Sequence, residues 1–391
     1  MDSESLTAPF AIVESGVNRF QGTKNYIDTS NVVVNEIVGK AEAVRFVTRK
    51  SRANMEAEID DVLFAKMANT RKVLLIDKSN ESNIYSTGFF VLRPNQLKVR
   101  PKYLYYWTRW ENTELLKDRL AHGETQRQLN NTQLKKKFKL PTPKLTAQDD
   151  SIERFDRVES LLNRLREQKR IAEQLLRSER EEEFDIEKYA STFESLCKSP
   201  TPCRYPTFYG IEYVKVGLPV LKISDMTPDG KLPTDKSLYD CITDEVNARF
   251  PNTVVQENDL VLEVRGSYIG KTALVPKELA GSNIRSNNTM RISLDTDQIL
   301  PEYFWHYTFT SLWQKQIDRI TRLWKQGFGT VRADRLKKVK VPAPKKDIQK
   351  QVLSRLQAID FVLTEFSRNI STCEELLQTL LQREFQPSAE G

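Results

Sequence analysis

The sequence reads LPTPKLTAQDDSIERFDRVESLL over residues 140–162 and VPAPKKDIQKQVLSRLQAIDFVL over residues 341–363. The two stretches align without a gap at an offset of 201 residues, which pairs Gln148 with Gln349. The correspondence continues downstream until Phe184 meets Phe385. An ungapped match of this length indicates that the chain contains an internal repeat.

Both copies carry an apolar stripe with the three- and four-residue spacing of a helix that buries one face. The matching positions are Ile152, Phe155, Val158, Leu162, Leu165, Ala172 and Leu176 in the first copy, and Leu353, Leu356, Ile359, Leu363, Phe366, Cys373 and Leu377 in the second. We therefore predict one long helix from Ile152 to about Phe184 and another from Leu353 to about Phe385. Their equal stripes favour an antiparallel coiled coil within the chain, with an arm that pairs with another chain as the alternative.

The repeat extends upstream of the helices. PKYLYYWT at 101–108 parallels PEYFWHYT at 301–308, and DVLF at 61–64 parallels DLVL at 259–262. We predict an α+β fold with two similar mixed α/β domains joined by two long helices, related by a pseudo-twofold axis. Prolines mark the junctions between domain and helix, because they fit neither a helix interior nor a central strand. The predicted segments are a first domain at 1–144, a helical region at 145–190, a second domain at 191–345 and a second helical region at 346–391.

The basic charge is concentrated in the predicted domains. The net charge is +8 for residues 1–144 and +5 for 191–345, but −4 for 145–190 and −2 for 346–391. This distribution fits two nucleic-acid-binding domains separated by a spacer that does not itself bind phosphate. Solvated lysines that only keep the domains soluble are the alternative.

Several classes of function find no support in the sequence. No apolar run approaches the ~20 residues that span a bilayer, and no secretory leader is recognisable, so we expect a cytoplasmic protein. The four cysteines lack zinc-site spacing, and two histidines are too few for a histidine-based metal centre. We expect His306 to lie in a core or interface, because it falls in the repeated aromatic stretch. No nucleophile elbow, metalloprotease helix or dinucleotide fingerprint occurs.

The stretch GSYIGKT at 266–272 has only three residues between its glycines, whereas a nucleotide-binding phosphate loop has four. Strand-like segments at 261–264 and 272–275 flank it, so the glycines predict a hairpin turn. Glycine lets a backbone approach phosphate closely, and Arg265 and Lys271 supply positive charge. The comparable place in the first copy carries Lys66, Asn69, Arg71 and Lys72. Both turns are therefore candidates for contact with DNA.

Taken in order, these stretches resemble the DNA specificity subunit of type I restriction-modification systems. In the second copy GLPVLKISDM at 217–226 with Asp229-Gly230 resembles the opening of a target recognition domain, and NDLV at 258–261 resembles its central strand. GETQRQLN at 123–130, LKK at 134–136 and LPTP at 140–143 resemble the domain exit, and Gln148 opens the conserved helix. The first domain departs from the family pattern, since it has MANTRK at 67–72 in place of the glycine-bearing turn.

This resemblance implies a non-catalytic subunit that selects the DNA sequence and docks two methyltransferase subunits. It implies further that S-adenosylmethionine chemistry on adenine, and ATP hydrolysis with Mg²⁺, belong to partner modification and restriction subunits in a prokaryotic cytoplasm. Each predicted helix of roughly 33 residues extends ~50 Å. That length corresponds to at most roughly 15 base pairs between domain centres, so we expect a bipartite target with an unread spacer.

We expect the DNA-binding residues among the polar side chains of these turns, where arginine and asparagine can make bidentate contacts with guanine and adenine, and in a basic cluster at residues 45–52 that either follows phosphate or is an exposed loop. The candidates are Arg45, Arg49, Lys50, Arg52, Lys66, Asn69, Arg71 and Lys72 in the first domain, and Lys222, Arg265, Ser267, Tyr268, Lys271, Arg285, Asn287 and Asn288 in the second. A turn-stabilising amide or a solvated cation is the alternative for each.

Two functions stay open at this point. The chain is either a sequence reader or an orphan interaction protein that binds modification subunits with little sequence-specific DNA binding. A self-contained hydrolase or methyltransferase would need motifs that are not found.

Overall fold

The computed structural model describes residues 8–202, 212–227, 230–266, 269–284, 288–321 and 329–386. They form two compact units: unit 1 is drawn from Met1–Glu167 and Ser367–Gly391, and unit 2 from Gln168–Phe366. Each unit combines one globular domain with a segment of each of two long helices, α4 (Leu145–Glu183) and α11 (Lys346–Phe385).

Both long helices begin seven residues earlier than their apolar stripes predict. The first inward position of each helix is taken by a buried glutamine, Gln148 or Gln349, rather than by an apolar residue, so the apolar stripe begins later than the helix. In unit 1 the two helix segments pack antiparallel: Ser151 of α4 donates to Glu384 of α11 (2.8 Å), and Arg166 pairs with Glu374 (2.7 Å). The predicted helices and their intrachain packing are thus observed within this unit.

Unit 1 is built on two four-stranded sheets, ordered β1-β10-β7-β8 and β5-β2-β9-β6, with a small β3-β4 hairpin. Its described strands are β1 (Phe10–Ile12), β2 (Lys24–Ile27), β3 (Val32–Val33), β4 (Glu36–Ile37), β5 (Glu42–Val44), β6 (Ala53–Met55), β7 (Val62–Ala65), β8 (Val73–Leu75), β9 (Ile84–Ser86) and β10 (Phe89–Pro94). Its shorter helices are α1 (Pro101–Arg109), α2 (Glu111–Leu120) and α3 (Asn131–Lys137).

Unit 2 repeats this plan with sheets ordered β12-β18-β15-β16 and β14-β13-β17, and a β11-β19 pair. Its described strands are β11 (Ala190–Thr192), β12 (Cys197–Pro202), β13 (Leu218–Leu221), β14 (Cys241–Ile242), β15 (Leu260–Glu263), β16 (Thr272–Leu274), β17 (Asn283–Ile284), β18 (Thr289–Leu294) and β19 (Lys340–Pro342). Its shorter helices are α5 (Ile186–Tyr189), α6 (Phe193–Leu196), α7 (Asp244–Ala248), α8 (Pro301–Tyr307), α9 (Ser311–Thr321) and α10 (Ala333–Leu336).

The two domains share unusual details as well as strand order. The β2–β9 and β13–β17 pairs are parallel, whereas the neighbouring pairs are antiparallel. The turn before the central strand has a positive φ in both copies, at Asp60 (76°) and Asn258 (66°). Short polar side chains favour this conformation, and the aspartate that follows accepts a backbone N–H three residues upstream, at Glu58 and at Gln256. These details confirm the duplication predicted from the offsets.

A fully buried glutamine ties each long helix to its domain. In unit 1 the Gln148 amide donates to the carbonyl oxygens of Lys98 and Pro143 (both 2.8 Å) and accepts from the Arg100 N–H (2.9 Å). Arg100 is the residue that precedes α1, so the side chain satisfies a backbone group at the start of that helix.

Gln349 does the same in unit 2. It donates to the carbonyls of Gln298 (3.0 Å) and Pro344 (2.8 Å) and accepts from the N–H of Leu300 (2.8 Å), the residue that precedes α8. The glutamine that the two repeats share therefore joins the long helix to its domain through buried hydrogen bonds.

A buried cation lies beside the aromatic stretch in each unit, but it comes from a different element. In unit 1 Arg109 of α1 forms an ion pair with Glu159 of α4, and Glu159 also accepts from the Tyr106 hydroxyl (2.7 Å). Arg109 has 12% side-chain exposure and Glu159 15%, so this pair is largely removed from water.

At the equivalent positions of unit 2 stand Phe309, Asp360 and His306. The cation is Arg180 of α4, whose guanidinium lies 4.4 Å from the Phe309 ring centroid and donates to His306 Nδ1 (3.1 Å). Because Nδ1 accepts this hydrogen bond, the imidazole is neutral with its proton on Nε2. His306 is fully buried, as its place in the aromatic stretch predicts.

Burial, with Arg180 and Lys231 nearby, lowers the pKa of His306 from 6.5 to about 3. A depressed histidine pKa stabilises the fold above pH 6.5, and that stability is lost as the pH falls from 6.5 toward 3. We expect unfolding in urea at pH 5.5 to require about 1.4 kcal/mol less free energy than at pH 7.5 on this account alone. His306→Asn keeps an acceptor for Arg180 but does not titrate, so its pH dependence should be shallower by that amount.

The other histidine of the chain supplies the control. His122 is exposed, so His122→Asn is the matched substitution outside the core against which the pH dependence of the His306→Asn variant is compared. An unaltered pH dependence in the His306→Asn variant would contradict the assignment of this stability to the buried imidazole.

Candidate nucleic-acid interface

Each domain presents a hairpin turn at the same place in its central sheet. Strands β7 and β8 pair antiparallel and enclose turn 1, residues 66–72. Strands β15 and β16 pair antiparallel and enclose turn 2, residues 264–271, of which 267 and 268 lie outside the described residues. Gly266 and Gly270 adopt φ values of 116° and 92°, which residues with side chains rarely adopt. The hairpin predicted from the glycine spacing is confirmed.

Backbone hydrogen bonds show which turn residues are equivalent. The N–H of Lys66 donates to the Gly88 carbonyl, and the Lys66 carbonyl accepts from Leu129 (both 2.9 Å). Val264 makes the same two contacts, with the Asn288 carbonyl and the Val331 N–H (2.9 Å). Both turns end on a lysine, because the carbonyls of Lys72 and Lys271 accept from the last residues of β7 and β15. Turn 2 is thus one residue longer than turn 1.

The two lysines that end the turns are internally bonded. Lys72 Nζ donates to the carbonyl of Thr29 (2.7 Å), and Lys271 Nζ donates to the carbonyl of Met226 (3.0 Å). Their charge therefore helps to fix the turns on the neighbouring sheet rather than standing free in solvent.

The basic stretch of the first domain lies in the loop between β5 and β6. Arg49 is engaged locally, because it stacks on the Phe46 ring at 4.1 Å and donates to the carbonyls of Phe46 and Ala53. Lys50 forms an exposed ion pair with Glu42 (2.7 Å), which raises the lysine pKa. Arg45 and Arg52 have exposed side chains and remain the residues of this loop best placed to meet phosphate.

The candidates within turn 1 differ in how far their side chains are buried or bonded to other residues of the domain. Lys66 is half-buried with its ammonium 4.9 Å from the Phe90 ring centroid, and burial lowers its pKa. Arg71 pairs with Asp118 (2.6 Å) and Glu114 (3.4 Å). Asn69 is exposed with φ 57°, so its amide side chain is presented at the tip of the turn.

Fewer candidates of the second domain can be placed. Arg265 is exposed and its Nε donates to the Thr330 hydroxyl (3.2 Å), whereas Lys222 forms an ion pair with Asp240. Asn288 is half-buried, and its carbonyl accepts from the turn. Four candidates lie outside the described residues, namely Ser267, Tyr268, Arg285 and Asn287.

A group of lysines beside turn 1 was not among the sequence candidates. The turn is bridged to the segment before α3, since Met67 pairs with Gln128 and the Ala68 N–H donates to the Arg127 carbonyl (2.9 Å). Helix α3, which follows, buries Leu134 and leaves exposed the side chains of Lys135, Lys136 and Lys137, and Lys139 just after the helix is exposed too. In the sequence this run of lysines resembles only the domain exit, and the pairing of the segment before it with turn 1 is visible only in the structure.

The surface built from these parts is basic, bears a tight backbone turn and displays amide and guanidinium groups. Among the described residues, no group of three or more His, Cys, Asp or Glu side chains is arranged to hold a metal ion. No described helix is both long enough and apolar enough to cross a membrane. The arrangement suits contact with a polyanion whose base edges carry donors and acceptors.

Comparison with protein families gives two matches to the type I restriction modification DNA specificity domain, at residues 11–174 and 207–372. The chain belongs to this family. The two matches fall on the two repeats, so both domains of this DNA specificity subunit are of the same kind. Its family is that of the non-catalytic subunit, with the catalytic activities on other subunits, and the resemblance found in the sequence is confirmed.

Solved structures show the same fold for the specificity subunit. One, described as the structural basis underlying complex assembly and conformational transition of the type I R-M system, has a TM-score of 0.54 and 18% identity over 93% of this chain and 91% of that chain. The type I restriction-modification S subunit from M. genitalium has a TM-score of 0.52 and 13% identity over 97% and 94% of the two chains. Comparison with curated protein sequences found no match.

Proposed function

We propose that the specificity subunit reads a bipartite DNA target, with each domain reading one half. The observation that supports this most directly is the duplicated hairpin: equivalent strands of two equivalent sheets enclose a turn in each domain, and the two turns differ by one residue and in their side chains. The equivalent strands suit phosphate contacts that are alike in both halves of the target, and the different side chains suit the reading of different bases. The predicted domains at 1–144 and 191–345 also carry the excess positive charge.

Within this proposal the candidates divide by their internal contacts. Exposed cations such as Arg45, Arg52 and Arg265 contact phosphate or base edges, together with the lysines that follow Leu134. Asn69 is the base-reading candidate of turn 1. Internally bonded residues hold the loops that present these side chains, as described above for Arg49, Lys50, Lys66, Arg71, Lys72, Lys222 and Lys271. The four candidates outside the described residues stay proposals from the sequence.

The helical regions proposed at 145–190 and 346–391 act as the spacer. The helices α4 and α11 have 39 and 40 residues, so each extends about 60 Å at 1.5 Å per residue. In this proposal the length of these helices sets the number of unread base pairs between the two halves of the target.

The long helices also carry apolar side chains that are left in solvent, at equivalent positions of the two copies. Leu161 (41% exposed) corresponds to Val362 (42%), and Leu175 (49%) corresponds to Leu376 (46%). Unit 1 contains Leu161 and Leu376, and unit 2 contains Leu175 and Val362. A repeated apolar surface fits two copies of one partner, and we assign it to the two methyltransferase subunits.

This docking surface gives a direct prediction. Leu175→Ser combined with Leu376→Ser should weaken binding of the methyltransferase subunit by at least about tenfold, because each leucine buried in an interface contributes on the order of 1.5 kcal/mol. Titration calorimetry with the purified subunits measures this change. Gln174→Ser, at an exposed polar position of α4, is the control, and equal affinities for the double variant and the control would contradict the assignment.

By the same proposal, S-adenosylmethionine, ATP and Mg²⁺ are bound by the partner methyltransferase and restriction subunits, in a prokaryotic cytoplasm. The alternative function is an orphan interaction protein, supported by the number of basic candidates that are bonded internally. It predicts a stable complex with methyltransferase subunits and no preferred DNA sequence.

The test is selection from a randomised DNA duplex pool, with the full chain alone and with the methyltransferase subunit, at two salt concentrations. Two conserved half-sites at a fixed spacing are the expected result. A single half-site would restrict reading to one domain. Salt-sensitive retention without any motif would favour the orphan function, because phosphate contacts alone give that behaviour.

A further inference from the structure

Helix α2 holds turn 1 through charged side chains. The Asp118 carboxylate accepts from the Asn69 N–H (2.7 Å) and from the guanidinium of Arg71 (2.6 Å). Lys117 donates to the Thr70 carbonyl and forms an ion pair with Glu114. Three consecutive turn residues are thus each bonded to α2.

This arrangement is buried where it meets the core. Lys117 has no exposed side-chain surface and its ammonium lies 4.8 Å from the Phe64 ring centroid, while Glu114 is 3% exposed. A buried ion pair can cost stability, because both charges lose their hydration and their mutual attraction offsets only part of that loss. The pair of Lys117 and Glu114 is therefore retained at some cost to stability. We call Glu114, Lys117 and Asp118 the α2 clamp.

Unit 2 holds its turn differently. At the repeat offset of 200 residues, Gln314 corresponds to Glu114 and Ile317 to Lys117, whereas Asp118 has an aspartate counterpart in Asp318. The indole N–H of Trp313 donates to the Gly270 carbonyl (3.0 Å), and Ile317 lies 3.1 Å from the point where a Gly270 Cβ would stand. At Gly270 turn 2 therefore packs on a buried indole and an aliphatic side chain, whereas the ion pair of Lys117 and Glu114 occupies the equivalent position under turn 1.

We infer that the α2 clamp positions turn 1 for reading the first half of the target, so that loss of its charge weakens discrimination at that half-site and leaves the second unchanged. The inference rests on the proposed function. It makes Asp118 a positioning residue, since it acts through Asn69 and Arg71 and need not touch DNA.

Asp118 is the member of the clamp suited to a test by charge removal. Partial burial acts to raise the pKa of Asp118, but hydrogen bonds from Arg71 and the Asn69 N–H hold it below its ordinary value, so the group is ionised near neutral pH. Glu114 is less suitable, because burial raises its pKa to about 7 despite the adjacent Lys117 and Arg71.

Two variants break the same contact with opposite changes of charge. Asp118→Asn removes a negative charge and Arg71→Gln removes a positive one. A purely electrostatic role predicts that the first tightens DNA binding and the second weakens it, at every sequence. A positioning role predicts that both variants lose discrimination at the first half-site.

The experiment uses the full chain in complex with the methyltransferase subunit and the bipartite duplex that pool selection yields. Binding is measured to the intact duplex and to duplexes with the first or the second half scrambled. For both variants we expect the preference for an intact first half to fall at least about tenfold, within the range for loss of a base contact. The preference for an intact second half, which also reports correct folding, should not change. Glu111→Gln removes a carboxylate of the same helix that attracts Arg71 electrostatically but forms no hydrogen bond with turn 1, so it should behave like the unaltered chain.

Each other outcome overturns the inference. Loss in Arg71→Gln alone would mean that Arg71 contacts DNA directly. An equal fall at both halves would make the clamp a general support of the fold, and no fall beyond that of Glu111→Gln would leave it without a role in reading. If the unaltered chain itself shows no preferred DNA sequence, the proposed function fails. This outcome differs from failure of the inference about the α2 clamp, which would appear only in the variants.

Discussion

Replacing Gln349 by methionine is expected to lower the free energy of unfolding by about 3 kcal/mol. The substitution keeps the length of the side chain but leaves three backbone groups without their partner, the N–H of Leu300 and the carbonyls of Gln298 and Pro344. A buried polar group that loses its partner costs about 1–3 kcal/mol. The effect should appear in urea unfolding followed by tryptophan fluorescence.

Gln351→Met is the matched control, because Gln351 is exposed two residues further along the same helix. It should change the free energy of unfolding by less than about 0.5 kcal/mol. Gln148→Met should reproduce the loss in unit 1, where the same three contacts are made. Equal stability of the Gln349 and Gln351 variants would show that water or a shifted backbone replaces the lost hydrogen bonds.

Most of the fold could be predicted from the repeat, because two stretches that align at a constant offset are expected to adopt the same backbone structure. The repeat offsets located both long helices, both hairpins and the correspondence between the domains in the structure, and the two family matches fall on the same two repeats. The helix starts at Leu145 and Lys346 were missed for a physical reason. Periodicity of apolar residues detects burial by packing, whereas Gln148 and Gln349 are buried by hydrogen bonding.

The candidate site was harder to predict, because the sequence does not show which acids face which bases. Arg71 and Asp118 form an ion pair although 47 residues separate them. Lys117 resembles a solvated lysine in the sequence but is fully buried. The choice of the exposed side chains of Arg45, Arg52, Asn69 and Arg265 over more buried or ion-paired candidates therefore required the structure.

The second large effect is expected at the buried ion pair of unit 1. Arg109→Phe should lower the free energy of unfolding by about 3 kcal/mol, because it leaves Glu159 largely buried without its cation. Urea unfolding measures the loss. Arg157→Phe, on the exposed face of α4 and paired only with exposed Glu153, should change stability by less than about 0.5 kcal/mol.

Unit 2 indicates how this loss can be reversed. It carries phenylalanine at the position of Arg109 and takes its cation from Arg180 instead, whose repeat equivalent in unit 1 is Leu381. Leu381→Arg alone places a second cation in the core and should destabilise unit 1. Combined with Arg109→Phe, the new guanidinium would lie over a ring and face Glu159, as Arg180 lies over Phe309. We expect a double-mutant cycle to give a favourable coupling of at least about 1 kcal/mol. If the losses of unfolding free energy in the two single variants simply add in the double variant, the arrangement of unit 2 cannot replace that of unit 1, even though the two backbones repeat.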